Sequence, residues 1–518
     1  MSVCATGRLP RPSTLLEPFR QSRRRRQPVE GTRSNPVHRR WTLWDSIWAP
    51  RVKTSDARDF WDTLEVKRLA FEHDWEIATR VRTATSGLFC RPLLLLLAPS
   101  RQPNKSYIRS LFCVCLSYAR SQKHGLEKKL ERAIKKLLAE EAAASTADEM
   151  MKSVFRHVDM VYQLFTFYAT IGTGDDIFAV SKAAFSQFIE QGSLAREDVI
   201  GQRLADLNLL FEGVNAKRTK DEVHNHRKTL NREEWIAVLV QMVLTRHVLD
   251  EGMAVGNAFD TFFAELRSRL PPLIQHDSNE FRSAYCYPEA IDFTIKQYER
   301  SLSLVFDVFA YGDGAVGDSL YSTKLMDISE YNLFIDRVGL IDQYVTARDV
   351  EHSFSLCRML VIDEGTTKGR ARLLQLRFED FLECIVRLAY HKPLPTDAQV
   401  LEQGCKHAGE FLFALEEEPE KEKRFHEARR WSYDEPPDQP IKDQVRHFVE
   451  WLLYRVRGGE DFARELSRKD VQLFRDGHRA VKRVPVKTGA APAPVGGGDA
   501  DDQVEYMRVG GPDVRPLV

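Results

Sequence analysis

Several features that would reveal a common function are missing from this sequence of 518 residues. Its longest purely apolar run, Leu93 to Ala98, is far shorter than the ~20 residues that cross a bilayer, so no membrane span is predicted. Lys plus Arg and Asp plus Glu both total 75, which argues against a nucleic-acid partner. The eight cysteines include no CxxC pair, which favours reduced thiols in a cytoplasmic protein over a disulfide framework.

Common catalytic motifs are also missing, since the chain contains no GxxxxGK[ST], GxSxG or HExxH. Gly312 to Gly317 satisfy GxGxxG, but an amphipathic helix rather than a strand precedes them, which indicates a flexible loop. His224 and His226 supply two imidazoles, whereas a closed zinc site takes four ligands. We therefore predict no enzyme, with a site assembled from scattered residues as the alternative.

Composition divides the chain into seven segments. The first four are a basic tail, an aromatic segment, an atypical insert without any acid, and a helical region: 1–40, 41–80, 81–124 and 125–270. A second helical region, further helices and a Gly-, Ala- and Pro-rich tail follow: 271–392, 393–483 and 484–518. Both tails are predicted to be disordered, although the Arg-rich first one can also serve as a targeting signal. The insert is either genuine protein or translated non-coding sequence.

The aromatic segment holds Trp41, Trp44, Trp48, Phe60, Trp61, Phe71 and Trp75, and seven acidic residues lie between the first and the last of these rings. Because that negative charge repels phosphate, we expect the rings to dock onto a core rather than stack on nucleic acid. Elsewhere the apolar spacing predicts amphipathic helices over four stretches: 126–144, 248–270, 398–415 and 441–456.

A long internal repeat organises the centre of the chain. A shift of 146 residues superposes the two halves without a gap over some sixty positions, pairing Phe185 with Tyr331 and Trp235 with Phe381. Upstream, the match resumes at a shift of 141, so that the halves differ by five residues in one loop. The repeat predicts a tandem duplication in which each half forms two helix–loop–helix units.

These units resemble the EF-hand superfamily. The segments Leu230 to Trp235 and Leu376 to Phe381 are similar to the second half of an EF loop, with an apolar residue at position 8, an acid at position 12 and an aromatic residue next. The resemblance covers about 240 residues and implies a mainly α fold built of tandem EF-hand-like pairs. In a looser sense the chain is similar to EF-hand proteins of the cilium and flagellum, which implies a cytoplasmic, cytoskeletal or ciliary location.

The predicted loops depart from a calcium loop, which places Asp at position 1 and Gly at position 6 of a 12-residue turn. Counted from the entering helix, they run over 169–184, 212–234, 310–330 and 358–380. They begin with Ala169, Glu212, Ala310 and Arg358, and neither Ala nor Arg can ligate calcium. Only the third loop offers four carboxylates, which are either a calcium site or solvated loop residues: Asp313, Asp318, Asp327 and Glu330.

The sequence therefore favours a non-catalytic helical scaffold or adaptor that binds a protein partner and needs no cofactor. A calcium-responsive regulator, acting through the third loop, is the alternative. An EF-hand pair packs four helices around an apolar groove, and such a groove can hold a helix of a partner without calcium.

Overall fold

The computed structural model describes residues 40–80, 140–171, 177–199, 201–215, 228–310, 324–342, 344–429, 439–459 and 465–478. Met1–Thr42 and Leu43–Val518 are separate compact units, and the following concerns the second. The described residues are mainly helical, as predicted. The calcium-loop residues Asp313 and Asp318, the Gly312 to Gly317 stretch and both His224 and His226 lie outside them.

The elements of the N-terminal segment and the first repeat, in chain order, are helices α1 to α8 and strands β1 and β2. The helices are Arg51–Thr54, Leu64–Arg80, Glu140–Phe155, Val158–Ala169, Lys182–Gln191, Leu204–Asn215, Arg232–Val243 and Val255–Arg269. The strands are Val180–Ser181 (β1), before α5, and Thr229–Leu230 (β2), before α7. A π-helix, Leu244–Asp250, extends α7.

The second repeat and the C-terminal region supply helices α9 to α19 and strands β3 and β4. The helices are Ser278–Phe281, Glu289–Phe309, Ile328–Val338, Ala347–Leu356, Thr367–Leu374, Phe378–His391, Asp397–Glu402, Ala408–Glu416, Pro419–Ala428, Ile441–Val456 and Arg468–Arg475. The strands are Met326–Asp327 (β3), before α11, and Gln375–Leu376 (β4), before α14. A π-helix, Arg282–Cys286, follows α9.

The two repeats place equivalent residues in equivalent elements. In each repeat two short strands pair antiparallel, with Val180 opposite Leu230 and Met326 opposite Leu376, and each residue of the second pair stands 146 positions after its counterpart in the first. Helices α5 and α7 correspond in the same way to α11 and α14. Trp235 and Phe381, which lie near the starts of α7 and α14, are both fully buried. The prediction of equivalent helices at 185–245 and 331–391 agrees with this order.

Local capping explains where the helices after the strands begin. Ser181, Asn231 and Asp327 each use a side-chain oxygen to accept the N–H of the residue three positions later. These side chains satisfy N–H groups that have no partner within the helix, which stabilises a helix start by about 1 kcal/mol.

Two predicted helices are interrupted, and one matches its prediction. The stretch 248–270 is broken because Gly252, at φ +75°, separates the π-helix from α8. The stretch 398–415 is broken because Gly404, at φ +70°, separates α15 from α16. A backbone with positive φ cannot continue a right-handed helix. Helix α18 spans Ile441–Val456 as predicted, and of the stretch 126–144 only the last five residues are described, within α3.

Two of the predicted loops also differ from the structure. Helix α6 continues to Asn215, so the second loop begins after Glu212 rather than at it. The fourth loop contains a helix, α13, whose start is capped by the Thr366 hydroxyl. Pattern matching to a short EF loop cannot reveal a helix inside an insertion of this length.

The apolar interior forms two cores, and the aromatic segment contributes to both of them. Phe71 and Trp75 of α2 lie in the core of the first repeat. Trp48, Val52 and Phe60 lie in the core of the second repeat and the C-terminal helices. The segment Leu43–Arg80, which we call the clasp, therefore joins the two repeats. Not all of its rings are docked, since the side chain of Trp44 is 66% exposed.

Each repeat is covered by a helix from elsewhere in the chain. Helix α2 packs on α7, and the Tyr162 hydroxyl of α4 donates a hydrogen bond of 2.8 Å to Asp74 of α2. Helix α18 packs on α10 and α14, which are the counterparts of α4 and α7. The buried face of α18 includes Val445, Phe448 and Leu452. The apolar faces of these repeat helices are thus occupied within the same chain.

Candidate functional site

The acids predicted at the ends of the loops act as helix caps. In the third loop, Asp327 Oδ1 accepts the Glu330 N–H at 2.8 Å, and Glu330 Oε2 accepts the Asp327 N–H at 3.0 Å. The pair is a reciprocal capping box, which satisfies two N–H groups at the start of α11. Of the four predicted calcium ligands, the structure therefore brings these two together at a helix start. Among the described residues, no group of three or more His, Cys, Asp or Glu side chains could hold a metal ion.

The acid also accepts the N–H of the N-cap residue in the second and fourth loops, although the fourth loop lacks the reciprocal bond because Arg377 has no side-chain acceptor. Glu234 accepts the Asn231 N–H at 3.3 Å, and Asp380 Oδ2 accepts the Arg377 N–H at 3.1 Å. The other oxygen of Asp380 lies 3.0 Å from Arg51 Nη2 of the clasp. An acid in this position thus has a structural task in all three loops, and in the fourth loop it also pairs with a cation from the chain itself.

The guanidinium of Arg358 lies at the start of the fourth loop, at the position where a calcium loop has its first ligand. Arg358 Nε donates to the carbonyl of Phe354 at 3.2 Å and Nη2 donates to that of Ser355 at 3.3 Å, while Nη1 donates to the carbonyl of Leu373. The guanidinium also lies 4.4 Å from the ring centre of Phe178, which belongs to the first repeat. Burial lowers the pKa of Arg358 to about 10, so the side chain remains a cation at neutral pH.

The clasp joins the second repeat through a buried ionic cluster centred on Glu383 of α14. Arg51 Nη1 lies 2.6 Å from this carboxylate, Arg282 Nε lies at 3.0 Å and Arg387 Nη2 at 2.6 Å. Arg282 also pairs with Asp62 of the clasp at 2.8 Å. Burial raises the pKa of a carboxyl group, but the three guanidiniums outweigh it and lower the pKa of Glu383 to about 2.

The charges of this cluster are balanced. The three guanidiniums of Arg51, Arg282 and Arg387 face three carboxylates, which belong to Glu383, Asp62 and Asp380. The Tyr287 hydroxyl accepts from Arg51 at 3.1 Å and donates to the Phe60 carbonyl at 2.7 Å. Buried charges that are matched and hydrogen-bonded in this way fix one relative arrangement of the segments that supply them.

A second ionic cluster joins the clasp to both repeats through Arg232 of α7. Its Nε lies 2.7 Å from Asp74 of the clasp, and its Nη1 lies 2.7 Å from Glu364 of the fourth loop. Arg232 also donates to the carbonyls of Val361 and Ile362 at 2.9 and 3.0 Å. Burial raises the pKa of Glu364 to about 7, although the guanidinium opposes the shift.

A cleft of about 140 Å³ lies between the repeats, beside these clusters. Asp159 and Phe165 of the first repeat, Ser355 and Arg358 of the second, and Lys67 of the clasp contribute to its walls. The Lys67 ammonium pairs with Asp159 and lies 4.0 Å from Asp277. Charges of both signs are thus paired across the cleft, so its walls present no field of one sign.

Two buried thiols, Cys286 and Cys357, are not activated as nucleophiles. Burial raises the pKa of the Cys286 thiol and that of the Cys357 thiol. Cys357 Sγ donates to the carbonyl of Phe354 at 3.1 Å. Because the thiolate is the reactive form, both side chains are inert packing groups at neutral pH.

Sequence reasoning predicted neither ionic cluster, although the loop spacing identified one member, Asp380, as an acid of the fourth loop. One signal was available in α14, where Glu383 and Arg387 interrupt an otherwise apolar run from Phe381 to Tyr390. Charges four residues apart on a buried helix face can pair with each other, and they also require partners from outside the helix. The sequence does not reveal that those partners lie in the clasp, since Arg51 is 332 residues away from Glu383.

No protein-family model matches this chain, and neither the curated proteins nor the solved structures provide a match. Among the described helices, none has the length and apolar character needed to cross a membrane.

Proposed function

We propose that the chain is a non-catalytic helical scaffold whose two repeats are EF-hand-like pairs that work without calcium. The relationship to EF-hand pairs is supported by the short antiparallel strands, which join the two loops of each repeat at positions 146 residues apart. It is also supported by the aromatic residues Trp235 and Phe381, which directly follow the terminal acids and are buried at equivalent places.

The observation that carries the proposal is the guanidinium of Arg358 inside the fourth loop. A calcium loop surrounds its ion with oxygen ligands. Here the carbonyls of Phe354 and Ser355, in the last turn of α12, and of Leu373, in α13, instead accept hydrogen bonds from the Arg358 cation. Arg51 supplies a second cation, to the acid at the end of the same loop. A loop that holds its own cations has no need of a metal ion to become ordered.

The covering helices refine the way in which such a scaffold acts. Helices α2 and α18 pack on the repeat helices. They therefore take the place in which a helix of a partner protein was expected. We therefore place the binding of a protein partner on the outer surfaces of a preformed body. From the loose similarity to EF-hand proteins of the cilium and flagellum, we propose a cytoplasmic, cytoskeletal or ciliary location.

Calcium provides the first test. The melting temperature is measured in 1 mM calcium and in chelator, with the wild-type chain and with Asp327→Ala. A site with Kd near 10 μM would stabilise the folded state by about 2.7 kcal/mol, which is several degrees. We expect no shift. A shift of several degrees that Asp327→Ala abolishes would support the alternative, a calcium-responsive regulator acting through the third loop.

Partner capture provides the second test. The wild-type chain is immobilised, and proteins of a native extract are captured in calcium and in chelator, with heat-unfolded chain as the control. The scaffold proposal predicts one or more saturable partners that the folded chain alone retains, in equal amounts under both conditions. Retention in calcium only, or turnover of a small molecule by the purified chain, would contradict it.

A further inference from the structure

A second cleft, of about 130 Å³, shares the lining residues Arg358 to Val361 with the first. Its walls come from the clasp, the fourth loop, α13 and the start of α14. We call it the basic cleft because five of its lining residues are cationic: Arg51, Arg358, Lys368, Arg372 and Arg377. Its lining carboxylates are two, Asp56 and Asp380, so that the formal charge of the lining is five minus two, or +3.

The excess positive charge can be assigned to particular side chains. Arg372 pairs with Asp56, and Arg51 pairs with Asp380 and with Glu383 behind it. Arg358 donates to backbone carbonyls and forms no ion pair with a described carboxylate. Lys368 is exposed and Arg377 is half-buried, and neither forms an ion pair within the described part of the chain. Three cations of the lining are thus left without an ion pair to any carboxylate in the described ranges.

The buried side chain of Arg51 forms part of one wall of the cleft. Its guanidinium pairs with Asp380 and Glu383. The start of α14, a helix of 14 residues, forms a further part of the wall. The N-terminus of a helix carries partial positive charge and favours anions.

Cleft size and charge together specify the kind of anion. A single water needs about 10–15 Å³ of such space, so about 130 Å³ accommodates a group of several heavy atoms. Guanidiniums and a lysine around one space match the several acceptor oxygens and the nearly doubled negative charge of a phosphate. We propose that the basic cleft binds a phosphate group, whether free or carried as an ester on a larger molecule. This inference does not depend on the scaffold function.

Equilibrium dialysis of the full chain with radiolabelled inorganic phosphate, in 150 mM sodium chloride, tests the proposal. The variant Lys368→Ala/Arg377→Gln removes two of the unmatched cations without breaking an ion pair between described residues. The control Lys442→Ala/Lys469→Ala removes two exposed lysines of α18 and α19, so that the net charge changes equally. We expect one saturable phosphate per chain for the wild type and the control, and at least tenfold weaker binding for the cleft variant.

Loss of binding in both double variants would overturn the proposal, because net charge alone would then explain the binding. Equal binding by all three proteins, or no saturable binding by the wild type, would overturn it as well. Melting temperatures of the variants, measured in parallel, confirm that each is folded before its binding is compared.

Competition identifies the source of the phosphate group. O-phosphoserine and unlabelled inorganic phosphate are each added as competitors of the label, with acetate and sulfate at matched ionic strength as comparison anions. Displacement by O-phosphoserine supports the proposal and assigns an esterified phosphate, whereas displacement by inorganic phosphate alone supports it with free phosphate as the ligand. Acetate that competes as well as phosphate would overturn it, because the cleft would then not distinguish a phosphate from any anion.

Discussion

Replacing Glu383 with Gln tests whether the buried ionic cluster holds the clasp in place. The substitution keeps the shape of the side chain but removes a charge that all three guanidiniums share. The pKa of Glu383 lies near 2 in the folded chain and near its ordinary value of 4.5 in the unfolded chain. At 1.36 kcal/mol per pH unit, this difference corresponds to about 3 kcal/mol, in the range of about 3–5 kcal/mol for a broken buried ion pair.

The pH dependence follows from the same values. Because the folded pKa lies below the unfolded one, the stabilisation is fully present above about pH 4.5 and is lost as the pH falls towards 2. Glu383→Gln should therefore lower the unfolding free energy by about 3 kcal/mol at pH 7, and by about half as much at pH 3.

Urea unfolding followed by tryptophan fluorescence, at pH 7 and at pH 3, measures both differences. Glu402→Gln is the matched control, since Glu402 is exposed on α15, and it should change the unfolding free energy by less than about 0.5 kcal/mol. A loss below about 1 kcal/mol at pH 7, or a loss that stays the same at pH 3, would refute the reasoning.

Three further predictions concern stability. Trp235→Ala and Phe381→Ala should each cost about 3–5 kcal/mol in urea unfolding, because both rings are fully buried, and a loss under 1 kcal/mol would contradict their role in the cores. Arg232→Met should cost about 3–5 kcal/mol, because Asp74 and Glu364 lose their shared cation; an unchanged urea midpoint would argue against this. Burial lowers the pKa of His276 to about 3 and that of His391 to about 4, below the ordinary 6.5. The two neutral, buried imidazoles therefore contribute to the free energy of unfolding above pH 6.5, and this contribution is lost as the pH falls towards 4. The melting temperature should be lower at pH 5.5 than at pH 7.5, and His391→Asn should make this difference smaller.

Local periodicity was enough to predict the helical class, the equivalent helices of the two repeats and the bounds of α18. Apolar residues three and four positions apart determine which helix face is buried, and this information lies within a single element. The breaks at Gly252 and Gly404 were missed because the surrounding apolar spacing continues across them. In both cases a glycine within the pattern was the available signal.

The ionic clusters were beyond such reasoning for a physical reason. Arg51 and Asp62 become meaningful only when the clasp lies on α14, and that contact is long-range in sequence. The acids Glu330 and Asp380 were identified by spacing, which is the same for a metal ligand and for a capping box. Spacing alone cannot distinguish these two roles, because each requires an acid at the first turn of the helix.

The clasp also has a consequence for how the protein is made. Arg51 leaves the ribosome 332 residues before Glu383, and at about 5–20 residues per second this gap lasts roughly 17–66 s. During that time Trp48 and Phe60, which belong to the second core, have no finished surface on which to pack. A nascent chain that carries exposed aromatic rings for so long is a natural substrate for chaperones. Completion of the second core therefore waits for the C-terminal half of the chain.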